Sequence, residues 1–352
     1  MSLRVYCRIR DGTYDHIEQN NDSCSIRITC KKTNHNFVVN KLWNKAESNA
    51  VIFNELYLNA ADHQVNYWVA FGYTGSGKTY TTTNLIKELY STLSIDKKSK
   101  LFISAIQIYN DNIYDLLNQN KSLVFYKTDD LVINDVVKRN DDNIDNLITM
   151  MMQNRNTAHT EMNNTSSRSH AIITIYYNKK KYIIVDMAGQ EAISNTNKDP
   201  EIQRQSNCIN LNMLALKECI RNHNNKESYI PYRRTLLTLA LKPIFENKCN
   251  VSFICNINLK QQLYYQIDSL RYASSLYRKE SNKPDPAIVL FKRYMSYVEN
   301  IGMYLCEERL LCNELKNGNF DNVKQIGELM LKKKKCIKKM IEIYSAYEKK
   351  YT

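Results

Sequence analysis

Residues 64–93 read QVNYWVAFGYTGSGKTYTTTNLIKELYSTL. An apolar run, 64–71, ends in a glycine-rich turn, and the following segment, 78–93, holds neither Gly nor Pro and reads as a helix. The turn, Gly72-Tyr73-Thr74-Gly75-Ser76-Gly77-Lys78-Thr79, fits GxxxxGK[ST]. A strand before it and a helix after it are the context this phosphate-binding motif requires. Its glycines let backbone N–H groups turn inward on phosphates, and the helix N-terminus adds its positive end. Lys78 is expected to reach the β- and γ-phosphates of a nucleoside triphosphate, and the Thr79 hydroxyl to bind Mg²⁺.

Outward from this stretch, strand-like segments stand at 3–10, 101–109, 171–177, 181–187 and 250–257. Helical patterns stand at about 200–222, 233–246 and 262–279. Strands and helices alternate through the first 280 residues, so the class is α/β with a central, mostly parallel or mixed sheet flanked by helices. Asn282-Lys283-Pro284-Asp285-Pro286 breaks the pattern. Beyond it, apolar residues recur at helical spacing on both sides of a turn at Lys316–Asn319. We expect residues 1–280 to form the main domain and 281–352 a C-terminal helical hairpin. Sustained heptads are absent, which argues against a long coiled coil.

Two further motifs carry chemistry. Val185-Asp186-Met187-Ala188-Gly189 is an apolar strand that ends in an acid and then a glycine. Downstream of a phosphate-binding loop, such an acid holds Mg²⁺ through water and the Gly189 amide can sense a γ-phosphate; taken alone, DxxG also describes a surface turn. Asn163-Asn164-Thr165-Ser166-Ser167-Arg168-Ser169-His170 is a dense polar run just before a strand, and alone it also reads as a Ser/Asn-rich loop.

The order GxxxxGKT, NxxSSRSH, DxAGxE closely resembles the P-loop, switch I and switch II of the kinesin superfamily. LRVYCRIR resembles that family's first strand, and IQIYNDNIYDLL its EIYNExxxDLL. Arg155–Met162, RNTAHTEM, looks like the lead into switch I. Ile209-Asn210 resembles INxSL, Ile230-Pro231-Tyr232-Arg233 resembles VPYR, and Ser269–Ala273 resembles the last core helix. Coverage runs from about residue 3 to 280.

The resemblance implies the kinesin motor fold and a microtubule-stimulated ATPase that needs ATP and Mg²⁺. It implies microtubules (tubulin) as partner, an unknown cargo, and a place in the cytoplasm on the cytoskeleton. The expected function is a motor that couples ATP hydrolysis to microtubule binding and movement, with an ATP-gated tether that does not step as the rival. By resemblance, Asn163, Ser166 and Ser167 belong to switch I, and Ser167 joins Thr79 and Asp186 around Mg²⁺ and the γ-phosphate. Arg168 and Glu191 would form a salt bridge that closes both switches; an Arg–carboxylate fork is a good latch because it needs both loops in place. Arg8 and Arg10 would lie near the adenine, with Tyr80 stacked on it.

Departures from the family pattern fall mostly on the tubulin side. INKSL reads Ile209-Asn210-Leu211-Asn212-Met213, and PYRDSKLTR reads Pro231-Tyr232-Arg233-Arg234-Thr235-Leu236-Leu237-Thr238-Leu239. Three basic positions that usually face tubulin are therefore leucines: Leu211, Leu236 and Leu239. Lys127, Lys138, Arg139, Arg204, Arg233, Arg234 and the Lys332–Lys335 run are candidates to replace that charge. Asp11 stands in place of the proline that packs on adenine, and Gln190 in place of a serine. DMAGQE also resembles the second switch of Ras-like GTPases, but no NKxD guanine motif accompanies it. Only Met1 and Ser2 precede Leu3, and Pro284 and Pro286 fall where a docking linker would follow, so a monomer whose tail replaces that linker is expected, with a tail that only dimerises or binds cargo as the alternative.

Composition agrees. The 352 residues are 43% hydrophobic and 24% charged, with a formal charge of +13. The tail, 281–352, holds 14 Lys/Arg against 9 Asp/Glu, a net +5 that leaves +8 on residues 1–280. Such a balance favours a polyanionic partner; a nucleic-acid-binding protein would suit the charge but leaves SSRSH unexplained, so nucleic acid is not expected. No apolar run is long enough for a membrane span, and MSLRVYCRIR carries arginines where a signal peptide needs an apolar run, so no signal peptide is expected there. The ten cysteines form no CxxC pair and read as reduced, small apolar residues.

Overall fold

The computed structural model describes residues 2–277, apart from 13–15, 20–22, 31–32, 96–99, 128–129, 141–142, 157–166, 190–199, 247–248 and 262, together with 323–351. The chain clusters into two compact units, Met1–Lys279 and Glu280–Thr352.

In the first unit the strands are β1 Ser2–Ile9, β2 His16–Gln19, β3 Cys24–Cys30, β4 Thr33–Val39, β5 Lys41–Trp43, β6 Val65–Phe71, β7 Leu101–Tyr109, β8 Asn112–Asp115, β9 Lys121–Ser122, β10 Phe125–Lys127, β11 Leu131–Ile133, β12 His170–Tyr177, β13 Lys180–Asp186 and β14 Asn250–Ile257. The helices are α1 Asn49–Ala60, α2 Lys78–Leu93, α3 Ile144–Asn156, α4 Pro200–Asn224, α5 Leu236–Ala240, α6 Lys242–Phe245 and α7 Leu263–Leu276. Nine strands form one sheet in the order β5-β1-β14-β6-β13-β12-β7-β8-β9. Its half from β5 to β13 is parallel, and β12, β7, β8 and β9 pair antiparallel.

Strand period explains why this sheet is covered on both faces. In β6, Tyr67, Val69 and Phe71 enter one core while Trp68 enters the other; β13 sends Ile183 and Val185 to the first and Tyr182 and Ile184 to the second. Helices α4 to α7 line the first core and α1 to α3 the second. Every residue of β14 is buried, as a central parallel strand between two helical layers must be. Cys7, Cys24, Cys219, Cys249 and Cys255 are buried free thiols in the first core.

From β6 the chain passes through α2 to β7 on one side, whereas β14 and β1 lie on the other. A crevice therefore opens at the C-terminal ends of β6 and β13, where ligands bind in open α/β sheets.

One expectation needs correction. The helical pattern at 233–246 is three short pieces: a 3₁₀ turn Tyr232–Arg234, then α5, then α6. Thr235 restarts the chain as an N-cap, in a reciprocal capping box with Thr238, and Pro243 opens α6. A three-stranded sheet, β2-β3-β4, also escaped the sequence reading. In the second unit, α8 (Val323–Tyr351) is the described part of the expected hairpin, and residues 287–315 lie outside the described residues. Among the described residues no helix is long and apolar enough to cross a membrane.

Candidate nucleotide site

The loop between β6 and α2 has the geometry its sequence requires. Gly72 has φ +140, and a Cβ there would stand 2.2 Å from the Asn256 carbonyl oxygen on β14, so a side chain is excluded by conformation and by space. Gly77, with φ +101, caps α2 with no side-chain hydrogen bond, which leaves the first-turn amides to face a ligand. Lys78 is buried, and its ammonium donates to the carbonyls of Gly72 (3.0 Å) and Tyr73 (2.9 Å). The lysine is thereby held folded over the loop that would cradle phosphates.

Thr79 and Asp186, 107 residues apart, meet at the ends of α2 and β13. The Thr79 hydroxyl donates to Asp186 Oδ2 at 2.8 Å. Arg155, at the end of α3, donates to the same oxygen at 2.5 Å. Its other nitrogens bond Ser169, Nε to the hydroxyl (3.1 Å) and Nη2 to the carbonyl (2.7 Å). The Arg155 and Asp186 side chains are 2% and 3% exposed, so this pair is fully desolvated. Past Asp186 the turn is pinned to the end of switch I: Gly189 N–H donates to the Ser167 carbonyl at 2.7 Å, and Ala188 N–H to His170 Nδ1 at 3.2 Å. Burial, with the nearby Arg155 cation second, pushes His170 down to about 3, so its imidazole is neutral at physiological pH.

At the other end of the crevice, Arg8 donates to Thr81 (2.9 Å) and Asn49 (2.6 Å) and lies over the Tyr80 ring, 5.2 Å from its centroid. Asn49 in turn donates to the Tyr80 hydroxyl at 2.9 Å. Tyr80 is 59% exposed, so it stands open to solvent as a stacking residue must. Arg10 donates to the Gly75 carbonyl at 2.9 Å. Asp11 pairs with Lys45 at 3.0 Å, and the hydrogen bond from Lys45 lowers its carboxyl below the usual range.

The fold thus brings together Arg8, Arg10, Gly72–Tyr80, Ser167, Asp186 and Gly189. Asn163, Ser166 and Glu191, with Gln190, lie outside the described residues. Arg168 donates to Gln205 on α4 at 3.2 Å. The sequence reading missed Arg155 and Asn49 as site residues. Arg155 opens the quoted RNTAHTEM segment, but nothing local distinguishes it from a surface cation.

The residues fit MgATP. Thr79 and Asp186 supply hard oxygen donors side by side, the chemistry Mg²⁺ selects. Asp186 Oδ1 and Ser76 Oγ are buried without a hydrogen-bond partner among the described residues, which is expected of atoms that a ligand shell or water would satisfy.

The kinesin motor domain family matches residues 7–278. The chain belongs to the kinesin motor-domain family. Kinesin-like protein KIN-8B of Arabidopsis thaliana is 30% identical over 61% of this chain and 31% of its own length. Kinesin-like protein KIP3 of Saccharomyces cerevisiae is 26% identical over 92% of this chain and 45% of its own. The chain therefore spans less than half of either relative. Among solved structures, the motor domain of the Kar3-like kinesin from Ashbya gossypii has a TM-score of 0.63 at 23% identity, covering 78% of this chain and 99% of that one. The C-terminal motor domain of Kar3 from Candida glabrata has a TM-score of 0.62 at 25% identity, covering 78% and 98%. Kinesins are a family of microtubule motors, and their motor domains are ATPases that bind nucleotide with Mg²⁺.

The surface that kinesins turn to tubulin departs from expectation at two positions. Leu236 and Leu239 are not exposed replacements of lysine and arginine; they are 0% and 2% exposed. Leu236 packs into the first core, which also takes Met213, Leu216 and Ile220 of α4. Leu211 is exposed, with Leu214 one helical turn on. Arg233 and Arg234 are both exposed, but Arg234 is ion-paired to Glu218 of α4. Arg139 donates to the Leu117 carbonyl, and Lys138 lies over the Tyr176 ring. Lys127 and Arg204 are exposed, as are Lys332, Lys334 and Lys335 on α8.

Proposed function

We propose that this chain is a kinesin motor that couples ATP hydrolysis to microtubule binding and movement. The observation that carries the reading is the constellation in which Lys78 and Thr79 of the phosphate loop, Asp186 of the second switch and the Ser167 end of the first meet at one crevice. Lys78 would neutralise the transferred phosphoryl group, and the Arg8–Tyr80 platform would hold the base. Thr79 and Asp186, with Ser167 joining them, would hold Mg²⁺, which when bound neutralises charge developing on the β- and γ-phosphate oxygens. Ser167 and Gly189 share a backbone hydrogen bond, so a contact sensed at one switch is felt at the other. We assign these roles to residues 1–280 and treat 281–352 as a separate helical region in a cytoplasmic, cytoskeleton-associated protein.

Closure of the site would require Arg168 to leave Gln205 for Glu191. Glu191→Ala is expected to retain ATP binding, read by fluorescent-nucleotide titration, while steady-state phosphate release falls roughly tenfold or more. Wild-type hydrolysis by this variant would remove the latch from the mechanism.

An ATP-gated tether that does not step is the second reading. Exposed Leu211 and Leu214 on α4, and the neutralisation of Arg234 by Glu218, favour it. Both readings predict microtubule binding through exposed cations, screened over roughly 8–10 Å at physiological ionic strength. Co-sedimentation in a non-hydrolysable ATP analogue should weaken steeply with added salt and weaken again in Arg233→Ala/Arg234→Ala. Unchanged co-sedimentation of that variant would move the contact elsewhere, first to Lys332–Lys335. A gliding assay separates motor from tether.

We also propose a monomer. Light scattering should give a mass near 41.3 kDa; a dimer mass that drops on removal of residues 281–352 would make the tail an oligomerisation element instead.

A further inference from the structure

His170 has a second neighbour that the nucleotide site does not account for. Asn212, midway along α4, turns its amide to the imidazole in the interior, with Nδ2 3.5 Å from Nε2. The two residues are 2% and 3% exposed, and besides this contact Asn212 Nδ2 reaches only Cys208 Sγ, at 3.8 Å, among the described residues.

A proton inventory fixes what passes between them. The Ala188 N–H can only donate, so His170 Nδ1, which it meets at 3.2 Å, carries no proton. The ring is buried and stays neutral, and its one proton is therefore on Nε2. Nε2–H needs an acceptor, and the Asn212 –NH₂ group cannot be one. Asn212 Oδ1 is buried with no other partner among the described residues. The amide orientation that gives Nε2–H an acceptor places Oδ1 on it and turns the –NH₂ away from Cys208 Sγ, which Nδ2 otherwise meets at 3.8 Å.

In that orientation one hydrogen-bonded line forms, Ala188 N–H to His170 Nδ1 and His170 Nε2–H to Asn212 Oδ1. It runs from the turn that follows Asp186 to the middle of α4. Seven residues earlier on the same face of α4, Gln205 accepts from Arg168, two residues before His170. Two buried amides thus tie α4 to the start of β12 and the end of switch I, while Leu211 and Leu214 stand exposed elsewhere on that helix. At the position of Asn212 the kinesin motif INKSL carries a serine, whose shorter side chain has no amide to extend to the ring.

We propose that Asn212 is a positioning residue that couples the nucleotide-sensing turn Met187–Gly189 to α4, so that nucleotide state sets microtubule affinity through His170. This rests on the reading of the chain as a nucleotide-gated microtubule binder. Asn212→Leu keeps the volume and removes the acceptor; Asn212→Asp keeps an acceptor oxygen. The readout is the ratio of microtubule dissociation constants in ADP and in a non-hydrolysable ATP analogue, measured beside basal ATPase and melting temperature on the full chain.

Couplings between sites typically amount to 5–150-fold. Asn212→Leu is therefore expected to cut the ratio about fivefold or more, with basal ATPase within about twofold of wild type. Asn212→Asp is expected to retain most of the ratio. An unchanged ratio in Asn212→Leu, or equal loss in both variants, overturns the proposal and leaves Asn212 as packing. A wild-type chain with no nucleotide-dependent affinity overturns the functional reading and this proposal together, whereas a wild-type ratio that Asn212→Leu preserves overturns this proposal alone. Should Asn212→Leu fail to fold, nitrogen-15 spectra of His170 in the wild-type chain decide: the Nε2–H tautomer supports the assignment, and the Nδ1–H tautomer overturns it.

Discussion

Lys78→Ala is expected to slow ATP hydrolysis by about 10²–10³-fold, the range seen when one preorganised donor to a developing anion is removed. The ammonium is buried and held by two carbonyls of its own loop, so its position is set before any phosphate arrives. Catalysis of phosphoryl transfer rests on such fixed charge, because little covalent chemistry is left for the protein to do. Steady-state phosphate release on protein shown by thermal melting to be folded is the measurement. A variant that keeps more than about a tenth of the wild-type rate would show that this lysine does not reach the reacting phosphate.

Arg155→Leu is expected to destabilise the fold by about 3–5 kcal/mol, the cost of leaving one partner of a buried ion pair unpaired. For a domain of this size that corresponds to a loss on the order of 10 °C in melting temperature. The reason lies in the triple engagement of the guanidinium: with Asp186 Oδ2 and with the hydroxyl and carbonyl of Ser169. Removing it strands a carboxylate that is 3% exposed. Arg155→Lys should fall between wild type and Arg155→Leu, since an ammonium keeps the charge but cannot match the planar fork. Melting curves that superimpose on wild type would mean that Asp186 is balanced by something else.

The parts legible in the sequence were those in which the backbone itself dictates residue type. GxxxxGKT could be read because Gly72 and Gly77 need conformations that side chains forbid, at fixed distance from Lys78. The limits of α2, β7 and β14 were readable because long apolar or uninterrupted runs leave few alternatives. The short sheet β2-β3-β4 was missed although CSIRITC alternates: Cys24, Ile26 and Ile28 are buried between polar neighbours, a pattern too brief to stand out. Arg155 was missed for a different reason. Its partner Asp186 is 31 residues away and is brought to it only by the packing of α3 against the sheet. The break at 233–246 was hidden because Thr235 and Pro243 act as helix starters only once the chain bends there.

Burial of Leu236 and Leu239 changes what a repair of the tubulin-facing surface would mean. Read as aligned text, the two leucines are missing charges, and reverting them to the family's lysine and arginine looks like a restoration of affinity. In the folded chain such a reversion would be a packing change. An ammonium at Leu236 would enter a position that is 0% exposed, beside the apolar underside of α4, with a desolvation cost of several kcal/mol. Leu236 is part of the first core and Leu239 is as closely buried, so the family's charged residues are not transferable to these positions. Charge can be added to this face without burying it where side chains already meet solvent, as at Leu211 and Leu214.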